Sequence, residues 1–201
     1  MRSKNRQHIA NRPPKLRGVT FIELIVTVTI VGILTAVAIP SFRDTTAGNQ
    51  MATHSNELIG AINFARSQSI MQGQRVVMCR SLNNVCQTDW SNSWQEGWMV
   101  FVDRNNDATF NGTDTLLRVN GAWSGSDAIQ PSAVEADGVT AVTDGSFFNY
   151  ISFSPDGSVR SITSGLPIKG RLGFLNCAKK NKNFISVNLI GQVSLLKLAC
   201  P

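Results

Sequence analysis

Val19–Ile39 is a run of 21 residues that holds a single charge, Glu23. As a helix rising about 1.5 Å per residue it spans roughly 32 Å, which matches a bilayer's hydrocarbon core of about 30 Å. A secretory signal peptide fits the basic residues before it and the A-x-A site Ala36-Val37-Ala38. The run, however, exceeds the usual apolar core of about 7–15 residues. A plain transmembrane anchor fits the length but leaves Glu23 as a cost of about 2–3 kcal/mol if ionised at depth. An ionisable group inside a membrane segment is a functional feature by default, and its partner has to be named.

The flanking residues supply that partner. Met1–Gly18 carries Arg2, Lys4, Arg6, Arg12, Lys15 and Arg17 and no acid, and the run opens Leu16-Arg17-Gly18-Val19-Thr20-Phe21-Ile22-Glu23-Leu24. This start resembles the N-terminus of type IV prepilins and type II secretion pseudopilins. The resemblance implies that a prepilin peptidase cuts between Gly18 and Val19, that Val19 is then N-methylated, and that Glu23 is the fifth residue of the mature chain. Glu23 would pair with the α-ammonium of a neighbouring subunit, so that two costly charges neutralise each other in lipid or in a filament core. Pro40 falls where pilins commonly place a helix-kinking proline. Val19 departs from the usual Phe, a change that keeps an apolar group.

The sequence pI near 9.5 invites a nucleic-acid reading, but the basic leader alone accounts for the net charge of +6. Without it, 13 Lys and Arg stand against 13 Asp and Glu. The leader's charge is a positive-inside signal that keeps the N-terminus cytoplasmic and the body outside. The remaining charge is uneven. Every acid lies at or before Asp156, so Gly157–Pro201 carries +7 and Val19–Asp156 carries −7. Such asymmetry marks a binding face, a head-to-tail complement between subunits, or a solvated loop.

Four cysteines, Cys79, Cys86, Cys177 and Cys200, all follow the apolar run. An even count in an extracytoplasmic body points to two disulfides, and four cysteines allow three pairings. The local pairing, 79–86 with 177–200, is the expected one. No pair has C-x-x-C spacing, which leaves zinc and thiol redox chemistry little support.

The chain divides by pattern into a leader (1–18), an apolar half-helix (19–40), an amphipathic half-helix (41–72) and a β-rich head (73–201). In the second half-helix Leu58, Ile59, Ile62, Ala65 and Ser69–Ile70 recur near a 3.6-residue period, and Gly73 is the expected C-cap. One helix from Val19 to Gln72 would be roughly 80 Å long. A break near Thr45–Gly48 is the alternative. In the head, Val76–Cys79, Gly97–Asp103, Thr115–Val119, Tyr150–Phe153, Leu172–Leu175, Phe184–Leu189 and Val193–Leu198 read as strands. Trp98, Val100 and Val102 share one face. Ser81–Gln95 reads as a loop, and Asn120–Ser146 as a variable loop with one strand at Val139–Val142. Ser154-Pro155-Asp156-Gly157 and Ile190-Gly191-Gln192 read as turns.

Gly97-Trp98-Met99-Val100-Phe101-Val102-Asp103 followed by Leu116-Leu117-Arg118, together with Phe153-Ser154-Pro155-Asp156-Gly157, resembles the GspH/FimT/FimU family of minor pilins and pseudopilins. The resemblance implies an α+β pilin fold: one long N-terminal helix whose second half packs on antiparallel sheet. It further implies a minor type IV pilin, held in the inner membrane as a single pass with a periplasmic head. The subunit would then be built into the tip or initiation complex of a pilus on the cell surface. Its partners would be the prepilin peptidase and other minor and major pilins. No cofactor or metal is implied. A type II secretion minor pseudopilin H is one alternative. A periplasmic domain on an uncleaved anchor is another.

DNA capture is the third alternative. DNA-uptake members of the family carry Gly-Arg-x-Arg in the C-terminal hairpin. The matching positions here are Gly191-Gln192-Val193-Ser194, so both arginines are replaced. Each lost Arg removes about one counterion-release unit. Arg171, Lys179, Lys180, Lys182 and Gln192 remain as the candidate DNA-binding residues, the lysines acting as point charges without a guanidinium's fork. Catalysis has no support. His8 lies in the leader, and His54, expected at a solvated helix position, forms no Ser-His or Cys-His relay. Asp103-Arg104-Asn105-Asn106-Asp107 has the opening spacing of a calcium loop, but Ala108 stands where that loop needs Gly and no Glu closes it. Asp and Asn there are expected to make a turn. Trp90, Trp94, Trp98 and Trp123 are expected in core or interface packing rather than base stacking.

Overall fold

Thr20 starts the long helix. Its hydroxyl accepts from the Glu23 N–H, and its own N–H donates to Glu23 Oε2, both at 3.4 Å. This reciprocal capping box satisfies two donors that a helix start otherwise orphans. Helix α1 therefore spans Phe21–Gln72, beginning two residues later than expected. Its end is set by Gly73 at φ +60°, the left-handed cap that glycine adopts without a Cβ clash. The computed structural model describes residues 18–87, 94–123, 128–135, 146–147, 149–176 and 181–199. Two compact units divide at Arg43/Asp44.

In the first unit, every residue of Val19–Ile39 is exposed. The threonine hydroxyls of this apolar run are spent internally. Thr27 donates to the Leu24 carbonyl, Thr29 to Ile25, and Thr35 to Val31 and Gly32. The side chains of Thr27, Thr29 and Thr35 thus present no unsatisfied hydroxyl donor to an apolar surrounding.

The second unit contains two antiparallel sheets. Strands β1 (Val76–Leu82), β2 (Val85–Cys86), β3 (Trp98–Val102) and β4 (Thr115–Asn120) run in the order β2-β1-β3-β4, with β6 (Tyr150–Phe153) also paired to β1. Strands β5 (Ala128–Glu135), β7 (Ile168–Asn176), β8 (Asn181–Val187) and β9 (Val193–Ala199) form the second sheet in the order β5-β7-β8-β9. Met51, Leu58, Ala61, Ile62 and Ala65 of α1 pack into one core with residues of both sheets, including Met78, Val100, Phe153, Leu172 and Ile185. Each fully buried side chain of this kind stabilises by about 1.5–3 kcal/mol relative to exposure. Trp98, Val100 and Val102 share that core face as expected. Val77, Cys79, Met99, Phe101 and Tyr150 form a smaller cluster on the other face. Burial on both faces explains why Val76–Cys79 of β1 and all of β3 read as unbroken apolar runs instead of alternating ones.

Five sequence expectations need correction. His54 is not solvated: it is 8% exposed and stacks on Trp123 at 4.5 Å between ring centroids, 4° from parallel. The buried stripe starts at Met51 and not at Leu58, and His54 falls one turn before Leu58 on its flank. Ile70, expected in the stripe, is 48% exposed, since the stripe turns inward at Ser69. The expected loop at Ser81–Gln95 holds a hairpin: β1 runs on to Leu82 and pairs with β2. Asn83 (φ 52°) and Asn84 (φ 62°) make its two-residue turn, the left-handed conformation that Asn tolerates and a tight hairpin demands. Within Asn120–Ser146 the described strand is β5, in register with β7 along its whole length. The expected strand at Val139–Val142 lies outside the described residues.

Candidate functional site

The candidate assembly segment is the start of α1. Gly18 and Val19 precede the capped helix and are exposed, and no atom lies within 4 Å of where a Gly18 Cβ would be. Val19 is 71% exposed and Phe21 79%. A contiguous apolar surface of this kind requires lipid or another subunit against it. The capping box holds the Glu23 carboxylate beside the first turn, where the helix dipole favours a negative charge. α1 runs on through Pro40.

The Cys79–Cys86 disulfide forms as expected, with Cα atoms 5.6 Å apart across the β1–β2 hairpin. Cys177 and Cys200 lie outside the described residues.

The candidate DNA-binding residues are not brought to one site by the described structure. Arg171 is exposed on β7, in register with Ser132 and Ser186. Lys182 is in β8, opposite Leu175 and Leu198. Lys179 and Lys180 lie outside the described residues. Gln192 closes the β8–β9 turn. Its N–H donates to Asn188 Oδ1 at 2.8 Å, its Oε1 accepts from Asn188 Nδ2 at 3.3 Å, and its carbonyl accepts from the Asn188 N–H at 3.1 Å. The Gln192 side chain is thus engaged in holding the turn.

Sequence reasoning missed the group that anchors this turn. Arg66, which follows Ala65 of the apolar stripe on α1, donates its Nε–H to the Gly157 carbonyl at 3.2 Å and to the Ile190 carbonyl at 3.1 Å. Two distant turns are tied to one guanidinium. Gly191 between them has φ +74°, and a Cβ there would fall 2.2 Å from the Gly157 carbonyl oxygen. Its glycine is required by packing. Beside it, Asp156 accepts from the Ser158 hydroxyl at 2.6 Å and the Ser158 N–H at 2.9 Å. These Ser158 bonds, helped by Arg160 at 3.4 Å, hold its carboxyl below the usual carboxylate range.

The Asp103–Asp114 connection uses its acids as turn chemistry, as expected. Asp103 accepts the backbone N–H groups of Asp107 at 3.2 Å and Ala108 at 3.1 Å, and Asp114 those of Arg104 at 3.0 Å and Asn111 at 2.9 Å. Asp103, Asp107 and Asp114 each bring a carboxylate oxygen within 4.8 Å of the others. Burial pushes the Asp103 carboxyl up despite the opposing backbone hydrogen bonds. Trp94 and Trp98 are buried, the former donating Nε1–H to the Phe147 carbonyl at 3.0 Å, and Trp123 covers His54. Trp90 lies outside the described residues. The described tryptophans are therefore engaged in packing.

Two family models match the chain in succession. The prokaryotic N-terminal methylation motif covers residues 14–39, and the type II transport protein GspH model covers residues 54–182. Two fimbrial proteins of Pseudomonas aeruginosa are each 39% identical over 61 residues, which is 30% of this chain and 39% of either relative. The aligned stretch thus spans well under half the length of those relatives. Two crystal structures of the type IV minor pilin FimU of Pseudomonas aeruginosa PAO1, in space groups P21 and P65, share 14% identity with the chain. They cover 75% and 72% of it and 91% of their own chains, with TM-scores of 0.48 and 0.45.

Proposed function

Since this chain belongs to the GspH family of minor pilins and pseudopilins, we propose that it is a minor type IV pilin whose work is subunit packing. Members of the family are structural pilins and pseudopilins, so no reaction is assigned to it. The observation that carries the reading is the succession of two family models along one chain: a methylation motif ending at Ile39, then a GspH head from His54. The exposed apolar start of α1 supports it. In this reading residues 1–18 are a leader, 19–40 the membrane and filament-core half of α1, 41–72 its amphipathic half and 73–201 the head. Cleavage falls between Gly18 and Val19, and Val19 is N-methylated. The subunit waits in the inner membrane with its head in the periplasm, then joins the tip or initiation complex of a pilus.

Glu23 and Pro40 serve assembly in this reading. Before assembly Glu23 caps its own helix through Thr20. In the filament its carboxylate also meets a neighbour's α-ammonium, which removes the cost of a lone buried charge. The experiment is Glu23→Ala in a strain lacking the native chain. The variant should reach the membrane in normal amount while pilus number falls. Normal piliation would contradict the proposal.

A second reading, a minor pseudopilin of type II secretion, is favoured by the description that the GspH model carries. The fimbrial relatives favour the pilus. Deleting the chain separates the two: loss of pili with secretion intact supports the first, and loss of secretion with pili intact the second. DNA capture ranks below both, because Gln192 is engaged in the turn and Ser194 carries no charge.

A further inference from the structure

Antiparallel sheets with free edges invite pairing with other chains, and proteins usually blunt those edges with bulges, prolines or charges. Among the described residues β2, β4 and β6 border one sheet and β5 and β9 the other, and they are treated differently. Strand β2 has two residues, and β6 is buried along its length, with the Arg160 N–H bonded to its Ser152 carbonyl. In β4 the register with β3 shifts between Val100 and Phe101, so Leu117 is bulged, and Arg118 follows it. In β5, Pro131 interrupts the donors of the strand. In β9, Val193–Ala199, neither device is present. Its register with β8 is unbroken over seven residue pairs, it contains no Pro or Gly, and Lys197 is its one charge. Ser194, Leu195, Leu196 and Lys197 are all exposed, so both faces of the strand are bare there. Leu195 and Leu196 are 36% and 51% exposed, while their partners on β8, Ile185 and Phe184, are buried and half-buried.

We propose that the free edge of β9 takes an added β-strand from a neighbouring pilin-like subunit, an extended segment with alternating apolar residues flanked by carboxylates. Main-chain hydrogen bonds supply the pairing, and Leu195 and Leu196 receive alternate side chains of the guest from the two faces. Charge selects the guest. Gly157–Pro201, which contains β7, β8 and β9, holds seven Lys and Arg and no acid. A second β9 would bring like charge against like charge, β4 and β5 are blunted, β2 is two residues long and β6 is buried, so among the described residues no strand of a second copy fits. Phosphate is a poorer match than a polypeptide, because the edge offers leucines and a row of backbone groups that a phosphate does not engage. The proposal rests on the assembly reading only for the origin of the guest strand.

The test uses the full chain in detergent micelles and needs no filament, so its failure would leave the assembly reading standing. Two peptides serve as probes, acetyl-Asp-Val-Thr-Val-Thr-Val-Glu-amide and its charge-reversed form with Lys at both ends. Amide hydrogen exchange reports on Val193–Ala199. The acidic peptide should slow exchange at alternate β9 amides by about tenfold, and the basic one by much less. Leu196→Glu, an exposed position that leaves the core intact, should abolish the difference. No added protection, equal protection by both peptides, or protection conferred by short double-stranded DNA and not by the acidic peptide would overturn the proposal.

Discussion

Arg66 donates its Nε–H to the carbonyl oxygen of Ile190 across 124 residues of chain, at 3.1 Å. The same Nε–H reaches the Gly157 carbonyl at 3.2 Å, so one guanidinium on α1 fixes the Pro155–Gly157 turn and the β8–β9 turn together. A hydrogen bond to a charged group contributes about 1.5–3 kcal/mol, and Arg66→Ala should destabilise the fold by that amount in a chemical denaturation series. Arg66→Lys should recover little of it, because an ammonium lacks the planar guanidinium geometry that the two carbonyls share. A loss below about 0.5 kcal/mol for Arg66→Ala would mean that the turns stand without it.

Gly191→Ala meets two obstacles at once. The backbone is at φ +74°, and the added Cβ falls 2.2 Å from the Gly157 carbonyl oxygen. The variant should lose about 1–3 kcal/mol, and the largest gains in amide exchange should lie in the two turns. Gly112→Ala is the control, with open space around its Cβ and no positive φ. It should change stability little. Equal effects of the two substitutions would contradict the packing account.

Cys86→Ser opens a short loop with a sequence separation of 7. Chain-entropy arguments put the loss at roughly 2 kcal/mol for a loop of that size. Because Cys79 lies in β1 between β3 and β6, the reduced thiol stays buried among Met99 and Tyr150. The fold should persist with a lower melting temperature, the same in magnitude for wild type after full reduction of this bond. A melting temperature unchanged by Cys86→Ser would contradict this.

Asp103 has a carboxyl pushed up by burial. A folded-state pKa above the unfolded value means that the native chain binds the proton more tightly. Its contribution therefore shifts toward the folded state as pH falls from neutral through the raised folded value, and levels off below the unfolded one. Asp103→Asn removes that titration. The stability difference between wild type and variant should move in favour of wild type as pH falls across that window, measured by urea titration at stepped pH. A difference independent of pH would contradict the burial account.

The N-terminal segment was legible because a single carboxylate in a 21-residue apolar run has few physical explanations. β3 was legible because Trp98–Val102 carries only residues that want burial. What escaped the sequence shares one cause: its partner is far along the chain. The Arg66 tether needs Gly157 and Ile190, and a lone Arg between Ala65 and Ser67 looks like any solvated helix residue. His54 looked solvated until Trp123, from beyond β4, covered it. β5 has Pro131 inside it, which argues against a strand, and only its register with β7 makes it one. The short β1–β2 hairpin was hidden by polar residues whose positive φ values are visible only in the fold.

The most direct measurement is the N-terminus of the chain after expression with a prepilin peptidase, read by intact mass and N-terminal fragmentation. A chain that begins with N-methylated Val19 is expected. A chain that keeps Met1–Gly18, or one cut after Ala38 at the A-x-A site, would contradict it.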